Sequence, residues 1–160
     1  YVICGDILIK LPYSSADNIK FSPNSRYLTY ATKIKDSEYI FVYDLESKCY
    51  KRYGPLNFVY NLMIFDDGNM SFITHGDNQY NWYIKYKDVI NGPYFSIFEC
   101  NILKDDTLMY LINGPDLHHF CLMVGPDQIG PYHSLKASAS SNLNRFIYLK
   151  NNSECWKCVV

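Results

Sequence analysis

Four groups of side chains in this 160-residue chain have the types and spacing for chemistry. The first is Cys155-Trp156-Lys157-Cys158. Two cysteines at this spacing bind zinc or cycle as a dithiol when a turn or helix start brings the sulfurs together. No second cysteine pair and no histidine pair at ligand spacing accompanies them. On a strand, three steps of about 3.3 Å hold the two Cα atoms roughly 10 Å apart, beyond the ~7 Å reach of a disulfide. The pattern reads as ordinary strand cysteines.

The second group is His118-His119, which enters a strand-like run. Successive strand side chains point to opposite faces, so this pair does not chelate one ion easily. His75 and His133 lie near loops of other segments and join a composite site only if the fold gathers them. The third group is Asp66-Asp67 with Asp105-Asp106. Both pairs fall in turns, where aspartate is used for its backbone hydrogen bonds. The calcium-loop pattern of spaced acids ending in Gly and Glu is missing. The fourth group is aromatic: Tyr80, Trp82, Tyr83 and Tyr86 crowd one strand and its entry loop. Tyr and Trp serve as binding anchors, and they also fill the space between packed sheets. The nucleophile-elbow, P-loop and zinc-protease patterns are all absent. No catalytic residue, metal or cofactor is expected.

The elements that position these residues follow from a repeat, the first feature to check in such a chain. Pro12, Pro55, Pro93 and Pro131 are separated by 43, 38 and 38 residues. Gly54, Gly92 and Gly130 precede three of them; Tyr13, Tyr94 and Tyr132 follow three of them. The apolar runs starting at Tyr27, Met70, Leu108 and Phe146 keep the same steps. A turn precedes each run, with Ser25, Gly68, Asp106 and Asn144 at its last position. Gly, Asn and Asp tolerate the positive φ that a tight hairpin needs there. Further strands start at Glu38, Asn81, His118 and Cys155.

Each repeat is therefore a four-stranded meander of about forty residues, the size of a propeller blade. Leu108 to Ile112 are apolar without alternation, as expected of a strand covered on both faces. Proline suits an outer strand that lacks a ladder partner. The expected fold is all-β: a β-propeller-like array of about four antiparallel blades in a single repeat domain, 1–160. Repeats lie at about 21–57, 58–95 and 96–133, with partial repeats at 1–20 and 134–160. Three assemblies remain open: a closed ring, a slice of a longer propeller, and a homodimer completing a larger ring.

The Gly-Pro-Tyr segment, the turn and the following apolar strand resemble the TolB-type and WD-repeat-like propeller repeats. "FSPNSRYLTYA" from Phe21 carries the resemblance best, and it extends over nearly the whole chain. The Gly-His and Trp-Asp signatures of the true WD repeat are absent. Propellers host unrelated roles, so the resemblance implies fold more than function. Propellers of this kind often accompany a serine peptidase domain.

The totals narrow the partners. Formal charge is −1, and the 15 basic residues form no stripe, which excludes a nucleic-acid partner. No apolar run approaches the ~18 residues of a membrane span. Six cysteines without framework spacing suggest free thiols and a cytoplasmic setting, with a periplasmic or extracellular one as the alternative. The expected function is a non-catalytic protein- or peptide-binding scaffold whose loops vary on a constant frame. The alternative is the substrate-recognition propeller of a peptidase or glycan-acting hydrolase, its catalytic domain outside this chain.

Overall fold

The computed structural model describes residues 2–4, 7–9, 16–78, 80–103, 107–113, 118–139, 146–151 and 156–159, with side chains between 16 and 135. The architecture is all-β. β1 (Val2–Cys4) and β2 (Ile7–Ile9) form a hairpin. Three four-stranded antiparallel sheets follow in chain order. The first holds β3 (Asp17–Phe21), β4 (Tyr27–Ile34), β5 (Ser37–Asp44) and β6 (Cys49–Leu56). The second holds β7 (Tyr60–Ile64), β8 (Met70–His75), β9 (Trp82–Tyr86) and β10 (Val89–Tyr94). The third holds β11 (Ile97–Ile102), β12 (Leu108–Asn113), β13 (Phe120–Val124) and β14 (Asp127–Tyr132). β15 (Ser134–Ala139), β16 (Phe146–Asn151) and β17 (Trp156–Val159) form a three-stranded sheet. Within each sheet every strand pairs with the next in sequence, which is a meander.

The chain divides into two compact units. The first comprises Tyr1–His75 with Lys85–Val89, the second Gly76–Ile84 with Ile90–Val160.

The turns form for the reasons their residues supply. Between β3 and β4, Ser25 takes a φ of 59° and its N–H donates to Ser22 O at 2.8 Å. Ser22 N–H donates to Tyr27 O, and Tyr27 N–H donates to Ser22 Oγ. Between β7 and β8, Gly68 takes a φ of 81° and its N–H donates to Phe65 O. Both positions were expected to need positive φ; Asp106 and Asn144 lie outside the described residues. Leu103 N–H still donates to Thr107 O, repeating the frame made by Ser22 with Tyr27 and by Phe65 with Asn69.

The second strand of each four-stranded sheet is mostly buried. Leu108, Met109, Tyr110, Leu111 and Ile112 are all buried, so β12 is covered on both faces. β4 and β8 repeat this with Leu28 to Thr32 and Met70 to Ile73. Each such Leu, Ile or Met contributes about 1.5–3 kcal/mol of transfer free energy. Within the first unit, Ala31, Ile40 and Val42 of the first sheet pack on Val59, Leu62, Ile64, Met70 and Phe72. Within the second, Met109, Leu111 and Leu122 pack on Leu135 of β15. The first sheet is thus joined to the second, and the third to β15, through apolar faces. Thr29 is buried at no cost in hydrogen bonding, because its hydroxyl donates to Phe41 O at 2.9 Å.

The repeated Gly-Pro has a structural explanation. On β6 the pairing steps from Ile40↔Tyr53 to Glu38↔Leu56, so Gly54 and Pro55 bulge opposite Tyr39. On β14 it steps from Leu122↔Ile129 to Phe120↔Tyr132, with Gly130 and Pro131 opposite Cys121. Gly54, Gly92 and Gly130 take φ of 121°, 129° and 125°, and each Gly-Pro bond is cis. A Cβ there would fall 2.9 Å from Glu38 O, 2.6 Å from Trp82 O and 2.9 Å from Phe120 O. Only glycine fits that approach. The prolines lie on β6, β10 and β14, each at a sheet edge, where a missing N–H costs no ladder bond. Pro12 and Tyr13 lie outside the described residues. Tyr94 puts its hydroxyl 3.0 Å from that of Tyr110. Burial, then this hydrogen bond, pushes the Tyr110 phenol well above its ordinary range.

The first strands hold a second bulge. Pairing steps between Asp17 and Lys20, between Tyr60 and Met63, and between Ile97 and Cys100. Asn18 and Asn61 adopt φ of 54° and 51° at the first two. In β11 the extra residue turns both Phe98 and Glu99 outward while Ile97 and Cys100 stay buried.

Candidate functional site

The loop from Gly76 to Asn81, between β8 and β9, is closed by its own backbone. Gly76 N–H donates to Asn81 O at 2.8 Å, and Asn81 N–H to Asn78 O at 2.9 Å. The Asn78 carboxamide oxygen accepts from Tyr80 N–H at 2.9 Å. This is the local bonding that favours asparagine in turns. Tyr80 stands on this frame with half its surface exposed (51%). Its ring stacks on Phe95, centroids 5.2 Å apart and planes 11° from parallel. Phe95, 38% exposed, follows Gly92-Pro93-Tyr94 in the connection to β11. One ring face of Tyr80 is used by Phe95, and the side chain is held without losing its access to solvent.

The other three aromatics of the sequence-predicted patch serve the fold. Tyr83 lies where a Cβ on Gly92 would be 2.9 Å from its ring and one on Gly76 3.2 Å away, so it fills two glycine hollows. Trp82 is half-buried on the opposite face of β9. Tyr86, in the first unit, meets Phe65 edge-on at 5.7 Å, with the Lys87 ammonium 5.5 Å from its ring centre. Among the described residues of the second unit, Phe95 and Phe98 are exposed aromatics that strand composition did not point to. A signal existed: the residue two or three after each Gly-Pro changes identity, from Asn57 to Phe95 to His133.

In the next repeat a histidine stands where Phe95 does. His133 lies 38 residues after Phe95, and its ring centre is 4.4 Å from that of His119. This is the one gathering of histidines that the described residues of the second unit provide beyond the chain neighbour His118. Among the described residues no three His, Cys, Asp or Glu side chains cluster at metal-binding distance. In the first unit His75 stacks on Phe58 at 5.9 Å.

The other chemistry-bearing groups have structural work. Asp67 accepts from Asn69 N–H and from its side-chain amide, each at 2.9 Å. Burial alone would push its carboxyl up, but these bonds and the nearby Lys87 hold it below the ordinary range. Asp66 accepts from Asn24 N–H at 2.8 Å. Asp105 and Asp106 lie outside the described residues, as does Cys155; Cys158 lies on β17, a strand as expected. Cys49 is exposed, Cys100 and Cys121 are buried, and Gln128 donates its amide to Cys121 Sγ at 3.4 Å. Asp44 pairs with Arg26 at 3.0 Å and accepts from Glu46 N–H, and these hold its carboxyl down at about 2. No helix among the described residues is long and apolar enough to cross a membrane.

A shallow cavity of about 170 Å³ in the first unit is lined by Tyr27, Tyr50, Tyr53, Asp44, Lys51 and Asp67, among others. Its acids are already engaged by Arg26 and Asn69. The exposed, rigidly presented surface of the second unit is the better candidate for a site: Tyr80 and Phe95, with Asp77 in the same loop. Comparison with known proteins found no matching family model, no matching curated protein and no matching solved structure.

Proposed function

We propose that this chain is a non-catalytic platform that binds a protein or peptide, built from propeller blades of the TolB or WD-repeat-like kind. The observation that carries the reading is Tyr80, an exposed aromatic fixed on a self-bonded loop and stacked on Phe95. Tyrosine presents a large amphipathic surface with little rotamer entropy to lose, and Asn, Gly and Tyr together make up adaptable binding loops. Holding such an anchor in place before binding lowers the entropic cost of association. The position of Phe95 is taken in the next repeat by His133, which meets His119, so the residue after the Gly-Pro-Tyr segment varies on a repeated frame. The blade reading is supported by the meander order and by consecutive sheets sharing apolar faces within each unit.

The test is a selection of displayed random peptides on the immobilised chain, followed by affinity measurements of the enriched sequences. Enriched peptides are expected to bind the wild type and to lose most of their affinity for Tyr80→Ala and Phe95→Ala. Failure to enrich any sequence, or enrichment indifferent to both substitutions, contradicts the proposal.

A further inference from the structure

A second cavity lies wholly within the first unit. Its volume is about 300 Å³, at the small end of the range for small-molecule sites. β3 reaches it through its bulge. The pairing steps from Asp17↔Ala31 to Lys20↔Thr29, with Asn18 at a φ of 54°. Neighbours on a regular strand face opposite ways, yet Asp17 and Asn18 both line this cavity. Bulges re-aim side chains in this manner beside functional sites. Lys33 also lines it and stands opposite Glu38 in the β4–β5 ladder. The two form no ion pair; the Glu38 carboxylate instead accepts from Val59 N–H. The side chains of Asp17, Asn18 and Lys33 have no hydrogen bond or ion pair among the described residues.

The cavity also has an aromatic wall. Phe58 stacks on His75 and on Tyr60, with planes 18° and 13° from parallel. Tyr60 is 55% exposed, and Phe58 is its one ring partner among the described residues. The Tyr60 ring is thus held from one side and keeps its other side for a ligand, which lowers the ordering cost of binding.

The polar groups decide the class of ligand. A carboxylate only accepts hydrogen bonds, an ammonium only donates, and a carboxamide does both. An anionic ligand would meet Asp17 and Glu38, and a cationic one would meet Lys33. A neutral polyhydroxylated ring suits all of them. Its hydroxyls donate to Asp17, accept from Lys33 and exchange bonds with Asn18. Its C–H face, slightly positive, packs on the negative face of an aromatic ring. We infer that this cavity binds an uncharged saccharide, with Tyr60 as the stacking platform and Asp17, Asn18 and Lys33 as hydroxyl partners. The site shares no residue with the Gly76–Asn81 loop and stands independently of the peptide-binding reading.

The experiment is saturation-transfer difference NMR on the whole chain with maltose, cellobiose, lactose and chitobiose at millimolar concentration. Sialyllactose and AMP serve as anionic comparisons and choline as the cationic one. At least one of the neutral disaccharides is expected to receive saturation, strongest on the C–H protons of one ring face, and to bind better than the three charged compounds. Tyr60→Ala is expected to weaken that binding at least about fivefold, and Tyr60→Phe, which keeps the ring, to retain it. Asp17→Ala, at an exposed position, is expected to weaken it as well, and replaces Tyr60→Ala should that variant fail to fold. The inference is overturned if no neutral disaccharide receives saturation, or if transfer is the same in wild type, Tyr60→Ala and Asp17→Ala. It is equally overturned if choline or AMP binds through Tyr60 and the neutral sugars do not.

Discussion

The backbone N–H of Asn24 donates to Oδ1 of Asp66 at 2.8 Å, joining the first turn of one sheet to the first turn of the next, 42 residues on. The Asn24 carboxamide adds a bond to Asp66 O. Away from this turn, the Glu38 carboxylate accepts from Val59 N–H at 2.7 Å. Consecutive sheets of the first unit are therefore tied by side chain to backbone as well as by their shared apolar core.

Asp66→Ala removes the acceptor at one of these ties. It should cost about 0.5–1.5 kcal/mol, the usual net worth of such a bond. Asp66→Asn keeps a carbonyl oxygen in place and should cost less. Urea midpoints of the two variants check this; equal losses would show that the bond is not what holds the turns together.

Alanine at Gly54, Gly92 or Gly130 must adopt a strained backbone and meet a neighbouring carbonyl. Each substitution should cost at least about 1–3 kcal/mol. Gly125 also has positive φ, at 57°, but its nearest neighbour is Thr107 Cγ2 at 3.4 Å. Gly125→Ala should therefore cost less than the other three in thermal unfolding. The reverse ranking would count against the bulge as the reason for the repeated glycine.

Asp44 is held at about 2 by Arg26, below its unfolded value, so its ionised form is favoured in the native state. The sign follows from linkage: its contribution is present above the unfolded carboxyl pKa and lost as pH falls through the folded one. Wild-type stability should therefore drop between about pH 4 and pH 2 by more than that of Asp44→Asn. Parallel pH profiles of the two would rule out this pair as a source of acid sensitivity.

Ser71 is fully buried, and its hydroxyl has no hydrogen-bond partner among the described residues. A buried unpaired hydroxyl carries a desolvation cost of about 1–3 kcal/mol. Ser71→Ala should leave stability unchanged or raise it by up to about 1 kcal/mol. A clear loss on chemical denaturation would mean that the hydroxyl is bonded in solution.

The repeat was legible because turn chemistry and unbroken apolar strands mark it twice over. Gly68 could be assigned positive φ, and the prolines edge positions, from residue type, and Ser25 from its place in the repeated turn. The bulges at Asn18 and Asn61 were not, since an asparagine in a strand has no fixed meaning until its partner strand is known. Of the four aromatics singled out in the sequence, Tyr80 is exposed and stacked on Phe95, whereas alternation sends Trp82 and Tyr83 to opposite faces of β9, and Tyr83 is claimed by Gly76 and Gly92. Phe95 escaped because it comes after β10, fifteen residues on, where only the folded chain reveals its place beside Tyr80.

The central claim is that Tyr80 is a binding anchor rather than an incidental surface aromatic. Tyr60, 55% exposed on β7, is a matched control. The decisive measurement is the affinity of a selected peptide for wild type, Tyr80→Ala and Tyr60→Ala, with urea midpoints taken on the same samples. The account predicts at least about a tenfold loss for Tyr80→Ala, roughly 1.4 kcal/mol, with an unchanged midpoint and little effect of Tyr60→Ala. Equal affinities for all three proteins, or a loss at Tyr80 only in step with a lowered midpoint, would contradict it.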